Sequence, residues 1–535
     1  MGAVKGTLAI AVLAVMALVP ITALSYTSHI FNSVKFDSDL REVTSGGHSP
    51  QGNILAVGGL FYLPDISGYA GSVVVSDISA EPFTYKELKL LKSKTCTDPN
   101  SIVVTALTAE DSGNLYVGGY AQYISDGITR YFVARLEGSP GSGYSLGSIK
   151  YYEVGEIMDI ELANHPYFSK VLLVAAVGPD YPVILILDPT DLSIEYHLAV
   201  NSNEVWGQSG VEEIAVSMDS AGNIVVAATL SYTTGAIALF TWSPSDNTYN
   251  SVYVVKNLNG LQVHDVLVNE EEYAPHAYIA AAKKWGKYTD WGTGTDFDPV
   301  LIKVNLRELV DLGYAFEWVL IIDDDSYDDY AYAVALYDGG SGSGNDRIIL
   351  YGSLAHSGYS GKQYPLIGVV RASGEVDNLT MVPAPSSSDF DRPQGAYYTG
   401  SVYEGYVFAM GTTNYTTDSY DNVGLLLYSS QIADWLNWKE EELGWPSVSV
   451  LKDISGIATV TTRTDINPSI SGPYSLLATL PPSSGTLTCV ELGTGDPVVY
   501  TAKDEITPVP VPEPWYAAII IAVIALALAV FYRRG

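Results

Sequence analysis

Asp111-Ser-Gly-Asn-Leu-Tyr-Val-Gly-Gly-Tyr120, followed by Tyr131-Phe-Val-Ala-Arg-Leu136, is the stretch whose reading decides the fold. A small polar cluster ending in Gly-Asn reads as a tight turn, because Gly accepts positive φ and Asn bonds its own backbone. The apolar run after it, rich in Tyr and Val, reads as a strand. The same turn-then-strand signal stands at Gly52-Asn53, Gly113-Asn114, Gly222-Asn223 and Gly344-Asn345, in steps of 61, 109 and 122 residues. These are one, two and two multiples of a period of roughly 55 to 61 residues. A true period needs degenerate copies inside the long steps, and Val171–Ala176 and Ala277–Ala282 stand there. Gly405–Gly411 and Tyr474–Thr479 carry the series forward.

Each of these strands is followed by a second apolar one. They are Ser72–Val75, Tyr131–Leu136, Val183–Leu187, Ile237–Phe240, Val300–Ile302, Leu366–Val370, Val423–Leu427 and Thr486–Cys489. A strand also fits before each turn (Ile214–Val216) and after each pair (Ser251–Val255). Four strands per unit, repeated about eight times or alternatively seven, predict an all-β β-propeller over residues 26–505. A row of β-sandwich domains is the competing fold, and the steady period without internal linkers argues against it. Gln431–Leu443 reads as a short amphipathic helix packed on a blade.

The Asp111–Leu136 copy resembles the repeats of bacterial and archaeal surface β-propellers (SBBP-like repeats). In those a Gly-Asn-Tyr-Val-Gly-Tyr strand precedes an Asp-x-Phe-Val-x-Lys-Leu strand. Here Thr129-Arg130 stands where the Asp would be. The resemblance implies a fold and an exterior setting, with no assigned activity.

The chain ends agree with that setting. Met1 to Ser25 holds one lysine, an apolar run and a small-residue ending, the pattern of a signal peptide. Trp515–Tyr532 is uncharged and aromatic at both ends; at 1.5 Å per residue it is roughly 27 Å long, enough for a transmembrane helix. Arg533-Arg534-Gly535 then forms a cytoplasmic tail, which places the propeller outside the cell, anchored at the cell surface. Residues 506–514, with alternating Pro, form a semi-rigid stalk. Val511-Pro-Glu-Pro514 before an apolar helix also resembles prokaryotic sorting tails, which implies processing of the tail.

The formal charge of −33, from 60 Asp and Glu against 27 Lys and Arg, excludes nucleic acid as a partner, since no basic footprint exists. It permits a cation such as Ca²⁺. Asp159, Glu213, Asp265 and Asp329 stand at the start of the innermost strand in four consecutive repeats, so four blades are expected to bring them to the channel mouth. Converging oxygens suit a hard metal ion or carboxylate catalysis. They equally suit the plain task of accepting neighbouring backbone N–H groups. The run Asp323–Asp329 leads into the same rim and lacks EF-hand spacing. The loop holding Trp285, Tyr288, Asp290 and Trp291 offers rings and a carboxylate that could hold a sugar or cover a blade edge. Two cysteines, Cys96 and Cys489, lie in early and late repeats, where a disulfide would staple ring closure or two thiols remain free. Asn378-Leu-Thr380 and Asn414-Tyr-Thr416 are sequons that fit an exterior location.

No His-Glu-x-x-His, P-loop or dinucleotide fingerprint is present, and the seven His are scattered. Two functions remain. One is a non-catalytic surface module for adhesion, glycan capture or assembly with envelope proteins; the other is a cation-dependent extracellular hydrolase or lyase acting on polysaccharide.

Overall fold

In the computed structural model the described residues lie between 32 and 501. Connecting segments such as 285–295, 338–345, 382–397, 414–422, 432–440 and 475–481 fall outside the description, and side chains are described chiefly over 68–379 and 482–494. The expected signal peptide, stalk, anchor and tail all lie outside the described residues, as does the loop with Trp285, Tyr288, Asp290 and Trp291.

Strand β1 (Asn32–Phe36) opens the chain, and four-stranded antiparallel units follow in order. Blade 1 is β2–β5 (Leu40–Gly46, Ile54–Leu63, Gly68–Asp77, Thr84–Ser93). Blade 2 is β6–β9 (Ser101–Ala109, Leu115–Gln122, Thr129–Ser139, Gly143–Tyr152). Blade 3 is β10–β13 (Glu156–His165, Ser169–Val177, Pro182–Leu187, Ile194–Ala199). Blade 4 is β14–β17 (Val211–Met218, Ile224–Leu230, Thr234–Ser243, Thr248–Asn259). Blade 5 is β18–β21 (Leu261–Glu270, Pro275–Lys284, Phe297–Asn305, Phe316–Asp323), with a short helix α1 (Leu306–Asp311) capped by Asn305. Blade 6 is β22–β25 (Tyr330–Tyr337, Arg347–Ala355, Gln363–Arg371, Val376–Met381). Blade 7 is β26–β28 (Tyr398–Tyr403, Tyr406–Thr413, Val423–Gln431), completed by β1 from the N-terminal side.

The first strand of each blade touches the first strand of the next, from β2 through β6, β10, β14, β18 and β22 to β26, and β26 touches β2. That cycle makes a seven-bladed β-propeller, with β1 on β28 closing the ring. The expected count of about eight blades gives way to its alternative of seven, because the last stretch of chain is no blade. Strands β29–β35 (Glu441–Trp445, Val448–Asp453, Thr459–Arg463, Ile470–Tyr474, Ser484–Thr486, Val490–Gly495, Val498–Thr501) run back around the ring in reverse order. β30 joins β25 with β29 beyond it, β31 joins β21, β32 joins β17, β33 joins β9, β34 joins β5, and β35 joins β1. Among the described residues six blades thereby gain an outer antiparallel strand, and blade 3 shows none beyond β13. Each added strand pairs the outer edge of its blade, and the last strand of each sheet becomes the new edge. The expected helix at Gln431–Leu443 is overturned at its ends, where Gln431 closes β28 and Glu441–Leu443 begin β29.

The core lies between blades, in layers. Leu173 and Ala175 of β11 pack toward blade 4 with Val226 and Ala238, whereas Leu172 and Val174 pack toward blade 2 with Val133 and Tyr116. A sheet buried on both faces needs continuous rather than alternating apolar strands, which is why Val171–Ala176 reads as an unbroken run.

The Gly-Asn turn has a definite job. Gly113 and Gly222 sit at φ 95° and 86°, and a side chain on Gly113 would meet the Gly138 carbonyl at 2.9 Å. Asn223 donates to Asp219 at 2.7 Å and accepts from the Trp242 N–H at 2.9 Å, clipping the turn to the third strand. Outer-strand tyrosines then donate to the glycine carbonyls, Tyr144 to Gly113 at 2.9 Å and Tyr249 to Gly222 at 2.8 Å.

Candidate functional site

A β-bulge recurs at one level of the inner strands. Its register shift falls between Leu40 and Glu42, Val104 and Ala106, Ile157 and Asp159, Val211 and Glu213, Val263 and Asp265, and Ala331 and Ala333. Three of the four expected acids, Asp159, Glu213 and Asp265, thus occupy equivalent places in blades 3, 4 and 5. Asp329 does not. Ala333 takes the equivalent place in blade 6, while Asp329 precedes β22, buried, with its N–H on the Phe297 carbonyl at 2.6 Å. Asp328 beside it accepts from the Phe297 N–H at 3.0 Å, so this part of the acidic run ties β20 to β22.

Each inner strand is the free edge of its sheet, so half its N–H groups lack ladder partners. The acids supply them. Asp159 accepts from the Val216 N–H of blade 4 at 2.7 Å, and Asp265 from the Val334 N–H of blade 6 at 2.8 Å. Glu213 pairs with His264 of blade 5 at 2.9 Å. Hydroxyls continue the pattern: Thr105 donates to the Ile157 carbonyl at 2.5 Å, Ser217 accepts from the Val268 N–H at 3.0 Å, and Thr229 bonds Val263. A hydrogen-bonded chain therefore links the inner strands from blade 2 to blade 6.

Sequence reasoning missed Glu161, which stands two residues beyond Asp159 on the same strand face, a spacing that would have revealed it. Burial, with bonds from Ser217 and Met218 opposing and the charges of Asp159 and Asp265 adding, pushes its carboxyl up to about 8. Burial outweighs the Val216 and Ile160 N–H groups and raises Asp159 to about 6. Asp265 is raised well above the carboxylate range by burial and by the charge of Asp159. The charges of these acids on blades 3, 4 and 5 raise one another's proton affinity. Among the described residues no group of three or more His, Cys, Asp and Glu is placed to hold a metal ion.

Gly143-Tyr-Ser-Leu-Gly147 has the spelling of a serine-nucleophile elbow, yet it lies along β9, with Ser145 donating to the Glu137 carbonyl at 3.3 Å. An elbow needs a strand-to-helix turn and is not formed here. Cys489 is disulfide-bonded and leads into β34, and its carbonyl accepts from the Lys94 N–H at 2.9 Å. Cys96 lies outside the described residues.

At the other end of the blades, where the inner strands finish, a cleft of about 480 Å³ opens between blades 2 and 3. It is lined by Glu110, Arg135, Phe168, Lys170, Asp188 and Glu195, among others. Lys170 pairs with Glu110 at 3.1 Å, and Arg135 with Glu137 at 2.9 Å. Burial alone would raise Glu110, but bonds from Asn114 and Ser112 and the Lys170 ammonium hold it at about 2.

No protein-family model and no curated protein matches the chain. Among solved structures it is similar to the Dos1 propeller, with TM-score 0.40 and 11% identity over 74% of this chain and 93% of that one. It is also similar to Drosophila semaphorin 1a, extracellular domains 1–2, with TM-score 0.36 and 9% identity over 75% and 88%. A third likeness is to an exo-β-1,3-galactanase from Clostridium thermocellum, with TM-score 0.32 and 12% identity over 77% and 95%. The strand order and the cycle of inner-strand contacts, not these distant likenesses, define the propeller.

Proposed function

We propose that this chain is a membrane-anchored extracellular β-propeller that acts as a non-catalytic binding module, for adhesion, glycan capture or envelope assembly. One observation carries the reading: Asp159 and Asp265, the acids best placed for chemistry in the channel, each give an oxygen to a backbone N–H of the next blade. Their task is to hold the ring. An apolar C-terminal segment after a Pro-rich stalk suits display of such a ring at the cell surface. A disulfide at Cys489 suits an oxidising exterior, and we take Cys96, the chain's other cysteine, as its partner.

One observation favours the alternative of a hydrolase or lyase. Glu161, raised to about 8, and Asp159, raised to about 6, are neighbouring carboxyls with separated proton affinities, as an acid–base pair requires. The discriminating experiment mixes residues 26–505 with cell-surface and environmental polysaccharides, with and without EDTA, and reads retention and released fragments together. Retention without fragments is the expected result. Fragments that vanish with EDTA would overturn it in favour of a Ca²⁺-type cation enzyme, and fragments that persist would point to the carboxyl pair alone.

A further inference from the structure

We propose that the cleft between blades 2 and 3 is a subsite for a neutral saccharide; this rests on the binding-module reading and gives it a place and a ligand class. The cleft is built from rigid parts. Glu110 follows β6, Arg135 lies in β8, Phe168 and Lys170 flank the start of β11, and Asp188 and Glu195 flank the β12–β13 turn. Its volume, about 480 Å³, falls in the roughly 300–1,000 Å³ range of small-molecule sites.

The chemistry of the walls narrows the ligand. Both cations are already neutralised, Lys170 by Glu110 and Arg135 by Glu137, and Arg135 also donates to the Thr190 carbonyl at 3.1 Å. Glu110 is itself pinned by Ser112 at 2.8 Å and Asn114 at 2.9 Å, so this wall does not need to rearrange to receive a ligand. An anion would meet Asp188 and Glu195 without a spare positive charge, on a chain of net charge −33. A wholly apolar ligand would leave these charged groups unsatisfied.

What the cleft offers is hydrogen-bond acceptors beside an aromatic face, with the buried Arg135 Nε–H, which has no hydrogen-bond partner among the described residues, as a donor. Glu195 is exposed and has no hydrogen bond or ion pair among the described residues. Asp188 uses one oxygen to accept from the Thr190 N–H at 2.7 Å. Phe168 lines the cleft, and Tyr167, 56% exposed, meets it edge-on at 4.9 Å. Behind them His165, Tyr196, Trp242 and Tyr249 form a packed ring cluster that fixes both side chains. Rigid hydroxyl donors on an apolar ring face match this set: hydroxyls to Glu195 and Asp188, ring C–H groups to the aromatic face.

The test uses the full chain in detergent micelles, titrated with neutral disaccharides (cellobiose, lactose, mannobiose) and with their uronic-acid counterparts. Glu195→Gln changes an exposed side chain, Tyr167→Ala also removes ring contacts with Phe168 and Trp242, and thermal unfolding of each serves as the folding control. At least one neutral disaccharide is expected to bind, the uronic acids not, and each variant to weaken binding at least tenfold. Binding that is unchanged in both folded variants overturns the cleft assignment and leaves the display reading standing. Preference for uronic acids overturns the ligand class. If no disaccharide binds at all, the cleft assignment fails, and polysaccharide retention by the same preparation tells whether the display reading fails with it.

Discussion

Replacing Glu161 by Gln should stabilise the propeller at neutral pH and leave it unchanged in acid. The carboxyl sits among Asp159 and Asp265 and is raised from 4.5 to about 8 in the fold. Below its unfolded value it is protonated in both states and contributes nothing to pH dependence. As pH rises toward 8 the unfolded chain ionises while the folded chain retains the proton, so wild-type stability falls with a slope of about 1.4 kcal/mol per pH unit at full effect. A shift of this size has a ceiling of about 5 kcal/mol; Glu161 is only half-buried beside the channel, and screening by its water reduces this to about 2 kcal/mol. Gln keeps an acceptor for Ser217 and removes the ionisation. Urea unfolding of residues 30–502, followed by tryptophan fluorescence, should therefore give equal stabilities at pH 4 and a variant about 2 kcal/mol more stable at pH 8. A variant that is less stable at both pH values, or equally stable at pH 8, would refute the argument that burial and the neighbouring acids keep Glu161 protonated in the fold.

Gly113→Ala should lower stability by about 1–2 kcal/mol, because it forces a side chain into left-handed backbone against the Gly138 carbonyl; Gly143→Ala, with nothing within 4 Å, isolates the backbone share of that loss. Tyr249→Phe should cost about 1 kcal/mol by leaving the Gly222 carbonyl without its donor, read from thermal unfolding. Cys489→Ser should destabilise by about 2–4 kcal/mol and speed hydrogen exchange in β33–β35, and a non-reduced peptide map of the wild type should join the peptides of Cys96 and Cys489. A map with two free thiols, or unchanged exchange in the variant, would remove the disulfide as the fastening of the outer strands.

The blades were legible in the sequence because their middle strands are buried on both faces. Val171–Ala176, Ala277–Ala282 and Val183–Leu187 are continuous apolar runs and became β11, β19 and β12. The outer strands were not legible as such. Tyr474 ends β32 and Cys489 leads into β34, and their neighbours have strand propensity like that of any blade; only pairing with β17 and β5, more than two hundred residues away, shows that they travel backwards. The acids divide the same way. Asp159, Glu213 and Asp265 follow from a constant distance to a short turn, whereas nine residues separate β22 from β23, against five between β6 and β7, so Asp329 was aligned to a place that Ala333 fills. The cleft had no local signal, since its walls come from four separated stretches of chain.

The account rests on the channel acids serving the ring and not a reaction. The most direct measurement takes Asp159→Ala and Asp265→Ala at pH 4, near the unfolded value of both carboxyls, and reads unfolding free energy together with fragment release from the polysaccharide panel. Each variant is predicted to lose about 1–3 kcal/mol, because a backbone N–H of the next blade is left without its acceptor, with polysaccharide retention unchanged. Full stability in both variants, with loss of a fragment-releasing activity that the wild type possesses, would contradict it.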